Sequence, residues 1–109
     1  MHNVLIIGGG LAGLVNAIVL ARAGLDVVLV EKKTYPCHRV CGEYVSNETL
    51  PFLHSLGIRP HDWGAASINH LQVTAPDGTS LEMPLDLGGY GISRYVFDEK
   101  LLKTAREAG

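Results

Sequence analysis

Cysteine is scarce in this chain, and so is charge. Cys37 and Cys41 are the only cysteines among 109 residues, so no disulfide framework can staple the fold. They stand four apart rather than as Cys-x-x-Cys, and no second ligand pair sits at a zinc-like spacing. Neither a dithiol redox motif nor a metal site is expected. Charged residues make up 18% of the chain and sum to −2, which supplies no bulk attraction to nucleic acid or to an anionic membrane. The hydrophobic share of 47% excludes a disordered chain. No basic residue precedes Arg22 and no acidic one precedes Asp26. The charged start of a signal peptide is therefore missing, and a cytoplasmic location is expected.

Long hydrophobic runs are also few. Between Val4 and Ala21 the only polar side chain is Asn16, which nearly matches the length of a bilayer span. Gly8, Gly9 and Gly10 interrupt it, however, and each would weaken a continuous helix by roughly 1 kcal/mol. The glycines read as a break between two elements, and no integral membrane segment is expected. Residues 3–7 suit a buried strand, with helix 11–23 after them. Gly24 stands at the natural C′ position, and 26–30 is a second valine-rich strand. Strand, helix and strand in this order form a βαβ unit with parallel strands and a right-handed crossover.

Residues 32–45 read as an extended loop, and a helix from Thr49 or Leu50 ends near Leu56. Residues 67–85 read as a β-hairpin turning at Asp77-Gly78, with Gly88-Gly89 as a break and 90–93 as a further short strand. Tyr95 to Ala108 is an amphipathic helix with Phe97, Leu101 and Ala105 on one face. Asp98 and Glu99 read as first-turn residues complementing its dipole. The five histidines and Trp63 are scattered, no catalytic set can be ordered from them, and the catalytic residues stay unknown.

Chemistry enters at Gly8-x-Gly10-x-x-Gly13, which follows a strand and opens a helix. Glu31 lies 18 residues after Gly13, at the end of the second strand, where a ribose-binding acid belongs. Gly8 permits the tight turn, Gly10 lets a pyrophosphate approach, and Gly13 lets the helix lie close to the strand. The helix start offers free N–H groups and partial positive charge. A carboxylate at Glu31 suits two ribose hydroxyls and repels a 2′-phosphate, which leaves NAD and FAD as ligands.

Residues 4–13, 21–27 and 30–32 resemble the opening of FAD-dependent oxidoreductases. Arg39-Val40-Cys41-Gly42-Glu43 is similar to the Lys/Arg-x-Cys-Gly-Glu/Asp segment of the geranylgeranyl reductase-like branch of the p-hydroxybenzoate hydroxylase-type flavoproteins. Arg94 with Phe97-Asp98 and Leu101 is similar to that family's Arg-x-x-Phe-Asp-x-x-Leu helix start. The resemblance implies an α/β, Rossmann-like FAD/NAD(P)-binding βαβ domain with an added β-hairpin, incomplete at the C-terminus. Residues 1–109 would be its N-terminal portion, with 67–85 beginning the substrate-side sheet. It implies Gly8, Gly10, Leu11, Ala12 and Gly13 at the pyrophosphate, and Glu31 and Lys32 at the ribose. Arg39, Cys41 and Gly42 would lie along the ribityl chain and flavin, with Arg94 also on the cofactor. The implied activity is reduction of an isoprenoid-like C=C bond or aromatic-type monooxygenation of a small, apolar substrate; NAD(P)H is one candidate electron donor, and the sequence does not identify the donor. A stand-alone NAD-binding regulatory module is the alternative. The family's members are longer, so the 109-residue chain alone is expected to be inactive, to hold FAD weakly and to self-associate through uncovered strands.

Overall fold

The computed structural model describes residues 3–109. In chain order the elements are β1 (Val4–Ile7), α1 (Leu11–Arg22), β2 (Val27–Val30), β3 (Tyr44–Ser46), α2 (Leu50–Ser55), β4 (Ala66–Thr74), β5 (Ser80–Gly91) and α3 (Arg94–Ala108). They form two units, one running to Cys41 and resuming at Ser93–Gly109, the other Gly42–Ile92.

In the first unit β1 and β2 pair in parallel, Val4 opposite Val27 and Ile7 opposite Val30, with α1 as the crossover. This is the βαβ unit read from the sequence, with strand ends moved by a residue. α1 stops where Gly24 turns to φ +88°. There Gly24 N–H donates to the Ala21 carbonyl and Leu25 N–H to that of Leu20, which satisfies the helix's last carbonyls. α1 and α3 pack together, burying Leu14, Ala17 and Ile18 from one and Phe97 and Leu101 from the other. The apolar face expected of α3 is thus the buried one. The helix begins one residue earlier than expected, at Arg94, because the Ser93 hydroxyl caps it by accepting from Tyr95 N–H at 3.1 Å.

Two expectations need correction here. β1 is half-buried on one face, at Val4 and Ile6, and exposed on the other, where Leu5 is 62% and Ile7 83% exposed. A pair of strands with helices on one side has a second face left over, and alternation along the pleat sends every other residue there. Asp98 and Glu99 do not lie in the first turn of α3, which holds no acidic residue, and Asp98 is fully buried.

The second unit is antiparallel. β5 is its centre, with Tyr44 of β3 and Ala66 of β4 both opposite Gly91. The expected hairpin exists, but its connection spans residues 75–79 rather than a two-residue turn. Ala75 N–H donates to the Thr79 carbonyl, and Asp77 Oδ1 accepts from Thr79 N–H. At Gly88-Gly89 the pairing of β5 with β4 is interrupted, Ile68 facing Gly89 and His70 facing Pro84, and Gly88 holds φ +71°, although the strand itself continues. A Cβ at Gly89 would overlap the Tyr44 ring, so glycine serves packing there while β5 runs on to Gly91. β3 is a strand within what reads as loop. α2 lies where expected, with Pro51 in its first turn and Gly57 (φ +77°) just past its end. Tyr90 is fully buried, and its hydroxyl meets Thr49 Oγ1 at 2.9 Å. No helix among the described residues is long and apolar enough to cross a membrane.

Burial predicts a contrast between two leucines. Leu101 is fully buried, so Leu101→Ala should cost about 2–5 kcal/mol in urea denaturation. Leu5→Ala, at an exposed position, should change stability by about 0.5 kcal/mol or less.

Candidate functional site

The site grows from the turn between β1 and α1. Gly8 holds φ +106°, a conformation open to glycine, and its N–H donates to the Val30 carbonyl at 2.8 Å. Gly10 caps α1 without any side-chain hydrogen bond, and no acidic residue occupies the helix's first turn. Leu14 N–H, bonded to the Gly10 carbonyl at 3.0 Å, opens the helical ladder. The N–H groups of the first turn, Leu11, Ala12 and Gly13, have no helical acceptor and point outward with the positive end of the dipole. A Cβ on Gly13 would overlap the Gly8 carbonyl oxygen, so glycine is what lets α1 lie against the turn. Gly8, Gly10, Leu11, Ala12 and Gly13 are thereby brought together.

Glu31 joins them from the end of β2. Its Oε2 accepts from Gly9 N–H at 2.6 Å and its Oε1 from Lys33 N–H at 3.0 Å. The Gly9 bond first, and the Lys33 bond second, hold the carboxyl below the usual glutamate value of 4.5, against the opposing pull of burial. The group is depressed, so its contribution is present above the ordinary value and is lost as pH falls below it. Lys32 is exposed, and its neighbour Lys33 is the residue that reaches Glu31.

The arginines arrive from two further segments. Asp98 accepts from Arg39 Nε at 2.7 Å, from Arg94 Nε at 2.8 Å and from Arg94 Nη2 at 3.2 Å. Those Asp98 bonds raise both guanidinium pKa values, against burial; the Cys41 thiol adds a smaller upward push at Arg94. Arg39 Nη2 is buried without a hydrogen-bond partner, 3.7 Å from Glu31 Oε2. Arg94 Nη2 lies 3.6 Å from where a Cβ on Gly10 would stand. Glu31, Arg39, Asp98 and Arg94 therefore form a chain of alternating charge that starts and ends at the glycine turn. Cys41 is exposed beside Arg94. Gly42 is the first residue of the second unit, and a Cβ there would meet nothing within 4 Å.

Sequence reasoning misses two members. Asp98 carries a weak signal, the i,i+4 spacing from Arg94 that suits a helical ion pair. Tyr35, whose hydroxyl donates to the Gly9 carbonyl, carries none.

Residues 1–98 match the family model described as FAD binding domain. Digeranylgeranylglycerophospholipid reductase 2 of Methanopyrus kandleri is 38% identical over 109 residues, covering 98% of this chain and 26% of that protein. Menaquinone reductase of Mycobacterium tuberculosis is 31% identical over 114 residues, covering 98% of this chain and 27% of that protein. Among solved structures, a geranylgeranyl bacteriochlorophyll reductase-like protein from Thermoplasma acidophilum matches with a TM-score of 0.76 at 25% identity, covering 99% of this chain and 28% of that one. The chain spans about a quarter of the length of these curated relatives.

Removing Asp98 should be costly, because two guanidinium groups lose their shared carboxylate. Asp98→Ala should destabilise the protein by about 3 kcal/mol or more in urea denaturation. A change below about 1 kcal/mol would show that water replaces the carboxylate freely.

Proposed function

This chain belongs to the FAD binding domain family, and we propose that its first unit holds the ADP half of FAD for a flavin-dependent reductase. The observation that carries this reading is the meeting of an uncapped helix N-terminus with Glu31 and Arg94 at one glycine turn. The residues fit the cofactor. Gly10 carries no side chain, and the nearest atom to where its Cβ would stand is Arg94 Nη2 at 3.6 Å, so the turn offers bare backbone to a phosphate. The buried, unpartnered Arg39 Nη2 offers a donor.

Each residue then takes a role. The backbone of Gly8, Gly10, Leu11, Ala12 and Gly13 receives the pyrophosphate, and Arg94 adds a guanidinium beside Gly10. A carboxylate has about four lone-pair directions. The Gly9 and Lys33 bonds take two at Glu31, which leaves others for ribose hydroxyls. Lys32 flanks the ribose. Arg39, Cys41 and Gly42 lie toward the flavin. FAD supplies a two-electron carrier when bound; the protein binds and orients it.

The relatives named above are a digeranylgeranylglycerophospholipid reductase and a menaquinone reductase. These names favour an apolar, isoprenoid-like C=C bond as the substrate group over aromatic hydroxylation. The family match favours the flavin reading over a stand-alone NAD module.

Gly10→Val tests the reading. Gly10 has φ −82°, and a Cβ there meets only Arg94 Nη2, at 3.6 Å. The variant should therefore fold, with its side chain standing where the phosphates approach. Purified at the length its gene encodes, it should show no flavin absorbance. Retention of stoichiometric FAD by the folded variant would place the phosphates elsewhere. Glu31→Ala should weaken FAD binding by about 1–3 kcal/mol through lost hydrogen bonds.

A further inference from the structure

We propose that Tyr35 is a positioning residue for the phosphate-binding turn, and that it works by fixing which way the Gly9–Gly10 peptide faces. The proposal rests on the flavin-site reading above. Gly9 is buried, and both of its polar backbone groups are held by side chains. Its N–H donates to Glu31 Oε2 at 2.6 Å, and its carbonyl accepts from the Tyr35 hydroxyl. Two residues from the segment after β2 thus hold the two peptide groups that flank Gly9.

The consequence follows from peptide planarity. In a trans peptide the carbonyl of one residue and the N–H of the next point in opposite directions. With the Gly9 carbonyl turned toward Tyr35, the Gly10 N–H must point away from Tyr35. That N–H stands at the cap of α1, among the donors a helix start offers to an anion. If the peptide flipped, a carbonyl oxygen would face the phosphates in place of a donor. Glycine has the widest backbone freedom of any residue, and three in succession make such a flip easy. The Tyr35 hydroxyl opposes it before any ligand arrives, so the turn is ordered in advance and binding does not bear that entropy cost. Burial, and then the Glu31 charge, raise the Tyr35 pKa above 10.0, which keeps the hydroxyl a donor.

Packing reinforces the hydrogen bond. A Cβ on Gly9 would overlap the Tyr35 hydroxyl and stand 3.0 Å from Glu31 Cβ. Glycine at this unassigned position of the motif is therefore explained by Tyr35, not by the cofactor.

The test compares ligands with and without phosphate. Tyr35→Phe keeps the ring and removes only the hydroxyl. Binding of FAD, ADP and adenosine is measured by calorimetry and by ligand-observed NMR on the protein at its gene-encoded length. The expected result is an ADP and FAD Kd raised about tenfold, equivalent to about 1.4 kcal/mol, with the adenosine Kd unchanged. A residue that merely supports the fold would weaken all three alike, and that outcome overturns the proposal. So does an unchanged ADP Kd. Gly9→Ala displaces the hydroxyl by contact and should reproduce the selective loss. The double variant should lose no more than either single one, because both act on one interaction; additive losses would show independent roles and contradict the proposal. Failure of the flavin reading is seen separately, as an unmodified protein that binds neither FAD nor ADP, and this removes the proposal with it.

Discussion

The hydrogen bond from Gly9 N–H to Glu31 is the constraint on which the rest of the site depends. It spans 22 residues and ties the end of β2 to the turn between β1 and α1. Parallel pairing of the two strands places their C-terminal ends side by side, so the carboxylate and the turn need only a short reach. From Glu31 the connection continues through Arg39, Asp98 and Arg94 and returns to the turn at Gly10. Two carboxylates and two guanidinium groups make this circuit neutral. On the proposed function, attraction for a phosphate would come from directed N–H groups and the helix dipole, not from net charge. That agrees with a chain whose overall charge is only −2.

Burial of Asp98 binds function to folding. The side chain is fully buried on α3, and it takes hydrogen bonds from the two arginines that the proposed function assigns to the cofactor. A carboxylate taken out of water needs partners with good geometry, and Arg94 supplies two of its three bonds. The arginines in turn gain fixed orientations, with their Nε groups committed to Asp98 and the Nη2 group of Arg39 left over. The same side chain thus ties α3 to the Arg39 segment and fixes both guanidinium groups.

What was legible in the sequence was local. Valine-rich strands, a glycine turn and an amphipathic helix each carry their own periodicity, so the βαβ unit emerges with errors of a residue. The glycine motif and Glu31 were legible because their spacing follows from that unit. Asp98 was misread because a first-turn acid and a buried ion-pair acid look alike until α1 packs on α3. Its bond to Arg39 spans 59 residues. Tyr35 was illegible because its partner is a backbone carbonyl, which leaves no mark on the side-chain pattern. β3 is three residues long, too short to show a period, and only its pairing with β5 defines it. Gly88-Gly89 marks an interruption of the β4–β5 ladder and not the end of β5, since glycine marks irregular pairing and close packing as well as a turn.

The proposed function places the ADP half of FAD at one end of the first unit. Titration of the isotopically labelled protein with ADP, followed through backbone amide shifts, tests it most directly. The predicted result is saturable shifts concentrated at the amides of Gly8–Gly13, Glu31–Lys33, Arg39 and Arg94. Saturable shifts confined to residues 66–91, with the glycine turn unmoved, would contradict it.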